Sequence, residues 1–322
     1  MQMEKMLKTN ITLLAGSSNL KLAQDIAAKL KLEVLCPIDK FSDGEIRVAI
    51  PKNLRRSDVF IIQPTAPNIN DSVMELFLML DAAKRASVNE ITAVVPYFSY
   101  SRQDRKDQPR VPISSSLLVQ LIKASGADRI VTVDIHSEQQ LGFFPGPWDN
   151  LYGSYILVPV IKAMKIKDLV VASPDKGGVA RATAYARRLN AQGLAIVYKE
   201  RDVSVANKSE AVDMIGEVKE KNVLIVDDII DTAGTLINAA ELLLKRGARS
   251  VRAAATHGLF SDPANERISK SGITEIIVTD TVVIKPEMAK NKKIRVVSVA
   301  PLLAEAIKRI QSGDSISEGL IL

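Results

Sequence analysis

Cysteine, histidine and aromatic residues are scarce in this 322-residue chain, and long apolar runs are missing. Cys36 is the only cysteine, which excludes an intrachain disulfide framework and a cysteine-built zinc site. Histidine occurs only at His136 and His257. Aromatic residues make up 4% of the chain. The basic stretches Arg102–Lys106 and Lys290–Lys293 lack the interleaved rings on which single-stranded nucleic acids stack, so no nucleic-acid partner is expected. No apolar run approaches the roughly 20 residues of a membrane span, and no membrane partner is expected. Met1–Asn10 carries Lys and Glu and has no apolar leader core, so a cytoplasmic protein is expected. The pattern G-x-x-x-x-G-K-[ST] does not occur, which excludes a P-loop nucleotide site.

What is present is an ordinary globular composition, 47% apolar and 25% charged, in a chain long enough for two domains. The net charge of +6 suits anionic ligands, and with nucleic acid disfavoured the charge points to small phosphorylated molecules.

The most informative stretch is Val223-Leu224-Ile225-Val226-Asp227-Asp228-Ile229-Ile230-Asp231-Thr232-Ala233-Gly234-Thr235. Four apolar residues predict a strand buried on both faces, and Leu236–Arg246 is apolar at helical spacing. Strand, polar loop and helix in that order place Asp227 and Asp228 at the carboxyl end of a parallel strand, where open α/β sheets bind ligands. The loop offers small side chains and backbone N–H groups at a helix N-terminus, a setting that suits a phosphate. Carboxylates beside a phosphate cradle repel the anion. They make sense when the phosphate belongs to a sugar whose hydroxyls they accept hydrogen bonds from, with a cation near. An ordinary βα turn with an acidic N-cap at Asp231 or Thr232 is the plainer alternative.

Strands and helices alternate along the whole chain, predicting parallel sheets covered on both faces. Ile46–Ile50 is predicted as a strand, and the Gly/Pro-rich segment Gly142–Asn150 as the domain boundary. Two domains are therefore expected, 1–150 and 151–300, with the C-terminal helix, about 301–322, joining the first. The halves also resemble each other. Val59–Gln63, a helix ending Lys84-Arg85-Ala86 and Ile91–Val95 parallel Val223–Asp227, a helix ending Lys245-Arg246-Gly247 and Val251–Ala255. The first copy has Gln63-Pro64-Thr65 where the second has Asp227-Asp228-Ile229, so a duplication would mean that the first half has lost the sugar-phosphate loop, while α/β periodicity alone would also give this similarity.

Other strand ends carry candidate binding residues. Ser173-Pro174-Asp175-Lys176-Gly177-Gly178 opens a helix; its glycines let the backbone approach an anion, and Asp175 could hold a bridging divalent cation. Lys199 and Arg201 follow a strand, and the polar segment Asp202–Ala211 reads as a lid bringing fixed cations to a phosphoryl group. Alone, this pair would read as solvated. His136 ends the strand Ile130–Asp134 and suits a metal or phosphate as well as a structural role. Arg102 and Gln103 offer a guanidinium for phosphate and an amide for a purine edge, and Phe41-Ser42-Asp43-Gly44-Glu45 a ring and carboxylates. Each of these two is, taken singly, equally a surface turn.

Taken together and in order, Phe41–Glu45, Pro96–Lys106, His136 with Gly142-Phe143-Phe144, Asp175–Gly178, Lys199/Arg201 and Val226–Thr235 resemble ribose-phosphate diphosphokinase, and the loop Val226–Thr235 resembles the ribose-5-phosphate loop of the phosphoribosyltransferase fold. The resemblance runs nearly the whole chain. It implies two similar phosphoribosyltransferase-like domains, an ATP-side N-terminal one and a ribose-5-phosphate-binding C-terminal one. The implied reaction transfers the β,γ-diphosphoryl group of ATP to the 1-hydroxyl of ribose 5-phosphate with Mg²⁺, giving phosphoribosyl diphosphate and AMP. By the same resemblance, Asp231, Thr232, Ala233, Gly234 and Thr235 hold the 5-phosphate, and Asp227 and Asp228 the ribose hydroxyls, with Arg201 also on the sugar phosphate. Asp175, Lys176, Gly177 and Gly178 form the diphosphate loop. Asp175 and His136 serve Mg²⁺, and Lys199 and Arg201 stabilise the transition state. Phe41, Asp43 and Glu45 contact adenine from a neighbouring subunit, Arg102, Gln103 and His136 face ATP, and the family expectation is a homo-oligomer, a hexamer.

Several positions depart from the pattern. Lys176 replaces a usually small or apolar residue, Arg56 stands where Gly is common, and Asp262 replaces a usual Gly. Leu141 replaces a Gln and Ala300 a Ser in the region of the regulatory site, while Arg55 and Arg110 are kept, so altered regulation with intact catalysis is expected. The rival readings are a phosphoribosyltransferase that consumes phosphoribosyl diphosphate and a non-catalytic subunit of the same fold.

Overall fold

The computed structural model describes residues 11–200 and 211–320. They form two compact units, one holding the chain up to Gly153 with Thr281–Val283 and everything from Ser298, the other Ser154–Asp280 and Ile284–Val297.

The first unit contains β1 (Ile11–Ala15), β2 (Val34–Leu35), β3 (Ile38–Lys40), β4 (Ile46–Val48), β5 (Asp58–Ile62), β6 (Glu90–Val95), β7 (Arg129–Val133) and β8 (Trp148–Leu151). Six of these strands pair in the order β2-β1-β5-β6-β7-β8, all parallel. Helix α1 (Leu20–Leu30) begins at Asn19, whose side chain accepts from the Leu22 amide at 3.2 Å, and ends at Lys31 in the left-handed conformation. Leu14, Ile61, Ala93 and Ile130 form one core with α2 (Ile69–Arg85) and α3 (Ser114–Ser125). The alternate residues Leu13, Phe60, Val94 and Val131 are buried as well, because both faces of a parallel sheet are covered. On α2, Leu76, Met79 and Leu80 have no exposed surface, and each such side chain stabilises the fold by about 1.5–3 kcal/mol.

Two local expectations change. The segment from Ile46 forms only a three-residue strand, and it pairs antiparallel with β3 in a ribbon outside the main sheet. The division between units falls just past Gly142–Asn150, between Gly153 and Ser154, and the segment itself is built into the first unit: a 3-10 helix spans Glu138–Phe143, and β8 forms the edge of the first sheet by pairing with β7. Phe98 and Phe144 pack on Trp148, with ring centroids 5.3 and 6.5 Å away, so apolar contacts hold this Gly/Pro-rich stretch in the unit.

The second unit has α4 (Ser154–Ala163), β9 (Leu169–Ser173), α5 (Val179–Leu189), β10 (Gly193–Glu200), β11 (Ala211–Ile215), β12 (Asn222–Ile230), α6 (Gly234–Lys245), β13 (Ser250–Gly258), α7 (Ala264–Lys270), β14 (Ile273–Thr279), α8 (Pro286–Ala289) and β15 (Ile294–Val297). The sheet order is β11-β10-β9-β12-β13-β14-β15, with β11 antiparallel to β10 and the remaining pairs parallel. Ile225, Leu236, Ala240, Leu243 and Ala253 belong to its main core. Helix α9 (Ala300–Ser312) belongs to the first unit and packs on α1.

The internal similarity seen in the sequence extends to strand register. Asp58 faces both Ile11 and Glu90, as Asn222 faces both Leu169 and Ser250. Ile130 faces Trp148, as Ile276 faces Ile294. After β7 the Asp134 amide donates to the Leu151 carbonyl at 2.8 Å, and after β14 the Asp280 amide donates to the Val297 carbonyl at 3.1 Å. Counting along these registers superposes Gln63-Pro64-Thr65 on Asp227-Asp228-Ile229. In the first unit the position is filled from within: Gln63 has no exposed surface and donates to the Glu75 carboxylate at 2.8 Å.

Candidate functional site

Strand β12 outruns its neighbour. Pairing with β9 stops at Ile225, whereas pairing with β13 continues to Ile230 opposite Gly258. The strand thus carries Asp227 and Asp228 past the edge of β9, held on the β13 side only. Asp228 is almost fully buried, and its amide donates to Asp227 Oδ1 at 2.9 Å. Arg181, in the first turn of α5, answers both acids: Nη1 donates to Asp227 Oδ1 at 3.3 Å and to Asp228 Oδ1 at 3.2 Å. Burial raises the Asp227 carboxyl well above the usual carboxylate range, and the charge of Asp228, its hydrogen bond and the charge of Asp175 push the same way. Arg181 opposes the shift. One guanidinium shared by two carboxylates leaves a negative excess, which suits neutral hydroxyl donors rather than an anion.

Beyond β12 the chain turns at Ala233, which sits at φ 61° and precedes α6 without a side-chain cap. The first-turn N–H groups of α6 therefore have no capping side chain, and with the helix dipole they form an anion cradle. Thr232 and Thr235 are exposed here and Ala233 is buried. Arg267, on α7, donates to the Thr232 carbonyl at 3.0 Å, and a β-carbon added to Gly234 would stand 3.4 Å from the same guanidinium nitrogen. Two guanidinium groups, Arg181 and Arg267, thus brace the site although sequence reading singled out neither. The signal for Arg181 was its position in the first turn of the helix that follows the Gly177-Gly178 loop. Arg267 had none, because its helix is distant in sequence.

The loop after β9 is closed by its own residues. Ser173 Oγ donates to the Asp175 carbonyl at 2.6 Å, and the Gly178 amide donates to Asp175 Oδ1 at 3.0 Å. A β-carbon on Gly178 would meet Ser173 Oγ at 2.7 Å, so the close approach needs glycine. Asp175, Lys176 and Gly177 are exposed, and the Lys176 ammonium lies 5.4 Å from the centre of the Tyr198 ring. The second unit thus brings the Asp175–Gly178 loop, Asp227, Asp228 and the 231–235 loop to one sheet edge. Lys199 lies on β10, whose backbone reaches Glu200; Arg201 and the expected lid Asp202–Ala211, except its last residue, which starts β11, lie outside the described residues.

The remaining candidates belong to the first unit. Asp134 at φ 41° turns the chain sharply after β7 and is tied to the Gly153 amide at 2.9 Å, which leaves His136 exposed at the strand end. Arg102 and Gln103 are exposed in the loop after β6, where Ser114 donates to the Gln103 side-chain carbonyl and the Ser115 amide to its backbone carbonyl. Phe41 stands 51% exposed at the tip of the β3–β4 ribbon, with the Arg47 guanidinium 5.8 Å from its ring. Gly44 at φ 96° allows the tip turn, in which the Glu45 amide donates to Asp43 Oδ1 at 3.1 Å. Among the sequence departures, Arg56 occupies φ 60°, a conformation glycine adopts without strain. Ala300 is buried, and Leu141 packs against the first core.

Among the described residues no three His, Cys, Asp or Glu side chains gather as a metal site, and no helix is long and apolar enough to cross a membrane. Asp175 presents an exposed carboxylate with one oxygen bonded to the Gly178 amide. That hard-oxygen donor fits a divalent cation completed by ligand phosphate oxygens and water.

Comparison with known proteins gives one family over nearly all of the chain. Residues 11–126 match the model of the N-terminal domain of ribose phosphate pyrophosphokinase, and residues 202–320 that of the phosphoribosyl synthetase-associated domain. The chain is 46% identical to a ribose-phosphate pyrophosphokinase of Campylobacter jejuni over 304 residues, covering 94% of this chain and 96% of the relative. It is 49% identical to that of Chlorobaculum tepidum over 314 residues, covering 97% and 95%. The crystal structure of phosphoribosylpyrophosphate synthetase from Mycobacterium smegmatis superposes with a TM-score of 0.89 at 38% identity, covering 95% of this chain and 100% of that one.

Proposed function

The chain belongs to the ribose-phosphate pyrophosphokinase family, and from that premise we propose how its residues make phosphoribosyl diphosphate from ribose 5-phosphate and ATP. The enzyme is a diphosphotransferase: the anomeric hydroxyl attacks the β-phosphorus of ATP in line and AMP leaves. The observation that carries the reading is the sheet edge of the second unit, where the acid pair on β12 runs directly into the uncapped N-terminus of α6. The 231–235 loop binds the 5-phosphate on backbone N–H groups, while Asp227 and Asp228 accept hydrogen bonds from the ribose hydroxyls. This holds the anomeric oxygen toward the Asp175–Gly178 loop, which receives the diphosphoryl group.

The family chemistry requires a divalent cation, which we take to be Mg²⁺; Asp175 would serve one such site and His136 another, near the ATP phosphates. When bound it neutralises charge on the phosphate oxygens. Lys199 and Arg201 add fixed positive charge for the transition state, and no side chain in this set is placed as a strong general base. Arg102, Gln103 and His136 face ATP in the first unit. The ribbon bearing Phe41, Asp43 and Glu45 projects an exposed ring, which supports its service to adenine on a second copy of the chain, a homo-oligomer such as a hexamer.

Purified protein incubated with ATP and ribose 5-phosphate should release AMP without any nucleobase. AMP formation only after a nucleobase is added would instead favour a phosphoribosyltransferase, and none under either condition a non-catalytic subunit. Lys199→Ala should abolish turnover with an unchanged melting curve.

A further inference from the structure

Lys176 is the only charged side chain besides Asp175 in the Asp175–Gly178 loop, and its placement is specific. Although Asp175 is its sequence neighbour, the ammonium turns instead to the face of Tyr198, 5.4 Å from the ring centre. Among the described residues no carboxylate lies within ion-pair distance of it. Tyr198 is held in register by β11, opposite Asp213, two residues past the point where Ile196 pairs with Ser173 of β9. The ring therefore flanks the loop. A cation on a half-buried ring face is held weakly, whereas an ammonium on a phosphate oxygen makes a charge-assisted hydrogen bond. Gly177 and Gly178 carry no side chains to fence the ammonium from an anion seated on the loop amides.

We infer that Lys176 is a further diphosphate-binding residue: the Tyr198 ring holds its ammonium beside the loop, and it moves onto the diphosphoryl group when one binds. The inference rests on the reading of Asp175–Gly178 as the diphosphate loop. Lys176 then contributes to holding the donor, while the sugar-phosphate loop is untouched by it. The aromatic seat keeps the ammonium from folding back onto Asp175, leaving that carboxylate for the divalent cation.

Calorimetric binding of magnesium pyrophosphate to the full-length protein tests this, with Asp175→Asn as the reporter of the loop. The expected result is a dissociation constant raised about tenfold by Lys176→Ala and kept within about threefold by Lys176→Arg. Tyr198→Leu should weaken binding in the parent and add nothing in the Lys176→Ala background, since ring and ammonium act as a unit. In turnover, Lys176→Ala should raise the KM for ATP and leave that for ribose 5-phosphate within about twofold. If Asp175→Asn weakens binding and Lys176→Ala does not, the role of Lys176 is overturned and the loop reading survives. If neither substitution alters pyrophosphate binding, the loop reading falls and the inference with it.

Discussion

Arg181 Nη1 lies 3.2 Å from Asp228 Oδ1, in a pair whose carboxylate is only 7% exposed. The same nitrogen is 3.3 Å from Asp227, so one guanidinium sets the geometry and the charge of the acid pair. Removing it would take a shared guanidinium from two neighbouring carboxylates at a half-buried edge. Arg181→Met should therefore raise the KM for ribose 5-phosphate at least tenfold and lower stability by about 2–4 kcal/mol. Lys in its place, which reaches as a point charge without the fork, should restore stability better than KM. Steady-state kinetics with denaturant unfolding separates the two effects.

Asp227 should show the opposite balance between stability and activity. Its carboxyl is raised above the ordinary value of 3.8 in the folded protein, because burial and Asp228 disfavour the charge. A raised carboxyl favours folding below the unfolded value, and that contribution is lost as pH rises through the folded value. Above that window the shift costs the fold stability. Asp227→Asn should be more stable than the parent by about 1 kcal/mol at neutral pH, with the difference vanishing toward the pH where both forms are protonated. Its turnover should fall at least a hundredfold, since an amide accepts ribose hydroxyls poorly. Urea unfolding across pH measures the first effect, and an unchanged stability difference at every pH would contradict it.

The turn before α6 depends on one backbone conformation. Ala233 sits at φ 61° and is 4% exposed. Ala233→Gly should leave stability within about 1 kcal/mol, whereas Ala233→Val, whose branched side chain opposes this conformation, should destabilise and raise the KM for ribose 5-phosphate. Arg267→Ala, which frees the Thr232 carbonyl, should raise the same KM severalfold with little change in KM for ATP.

In the first unit, Gly16 is fixed by packing. A β-carbon there would come within 2.2–2.6 Å of the Gln63 amide, which is itself bonded to Ser18, Ser72 and Glu75. Gly16→Ala should lower stability by about 2–4 kcal/mol because neither the amide nor its partners can move without leaving a buried polar group unbonded. Thermal unfolding of the variant reads this directly.

Regulation is expected to differ from the pattern the sequence resembles. Ala300 is buried at the start of α9 and Leu141 contributes to an apolar core, so neither offers a polar group to an effector. Phosphate should activate weakly and ADP should inhibit chiefly at the ATP site. Strong phosphate activation, or ADP inhibition that high ATP does not relieve, would contradict this.

The sequence was most legible where local chemistry repeats. Apolar runs of four or five residues followed by Gly, Pro or Asp announced the parallel strands and the edge that carries the candidate site. Val223–Thr235 announced its strand, loop and helix within one continuous stretch. It was less legible where long-range contacts decide local structure. Composition did not reveal the edge strand that ends the Gly/Pro-rich segment, held where Trp148 packs with Phe98 and Phe144, and the short ribbon at Ile46 never joined the sheet.

For the opening feature of the site the division is clear. The sequence alone determined that Asp227 and Asp228 precede a small-residue turn and a helix, because strand, loop and cap chemistry are local. Only the tertiary structure decided how the acids are held: by Arg181, 47 positions before Asp228, and by a β13 pairing that outlasts β9. It likewise decided that Lys176 rests on Tyr198 rather than on its neighbour Asp175. Charge partners are chosen by distance in space, and distance in space is set by the packing of the whole unit.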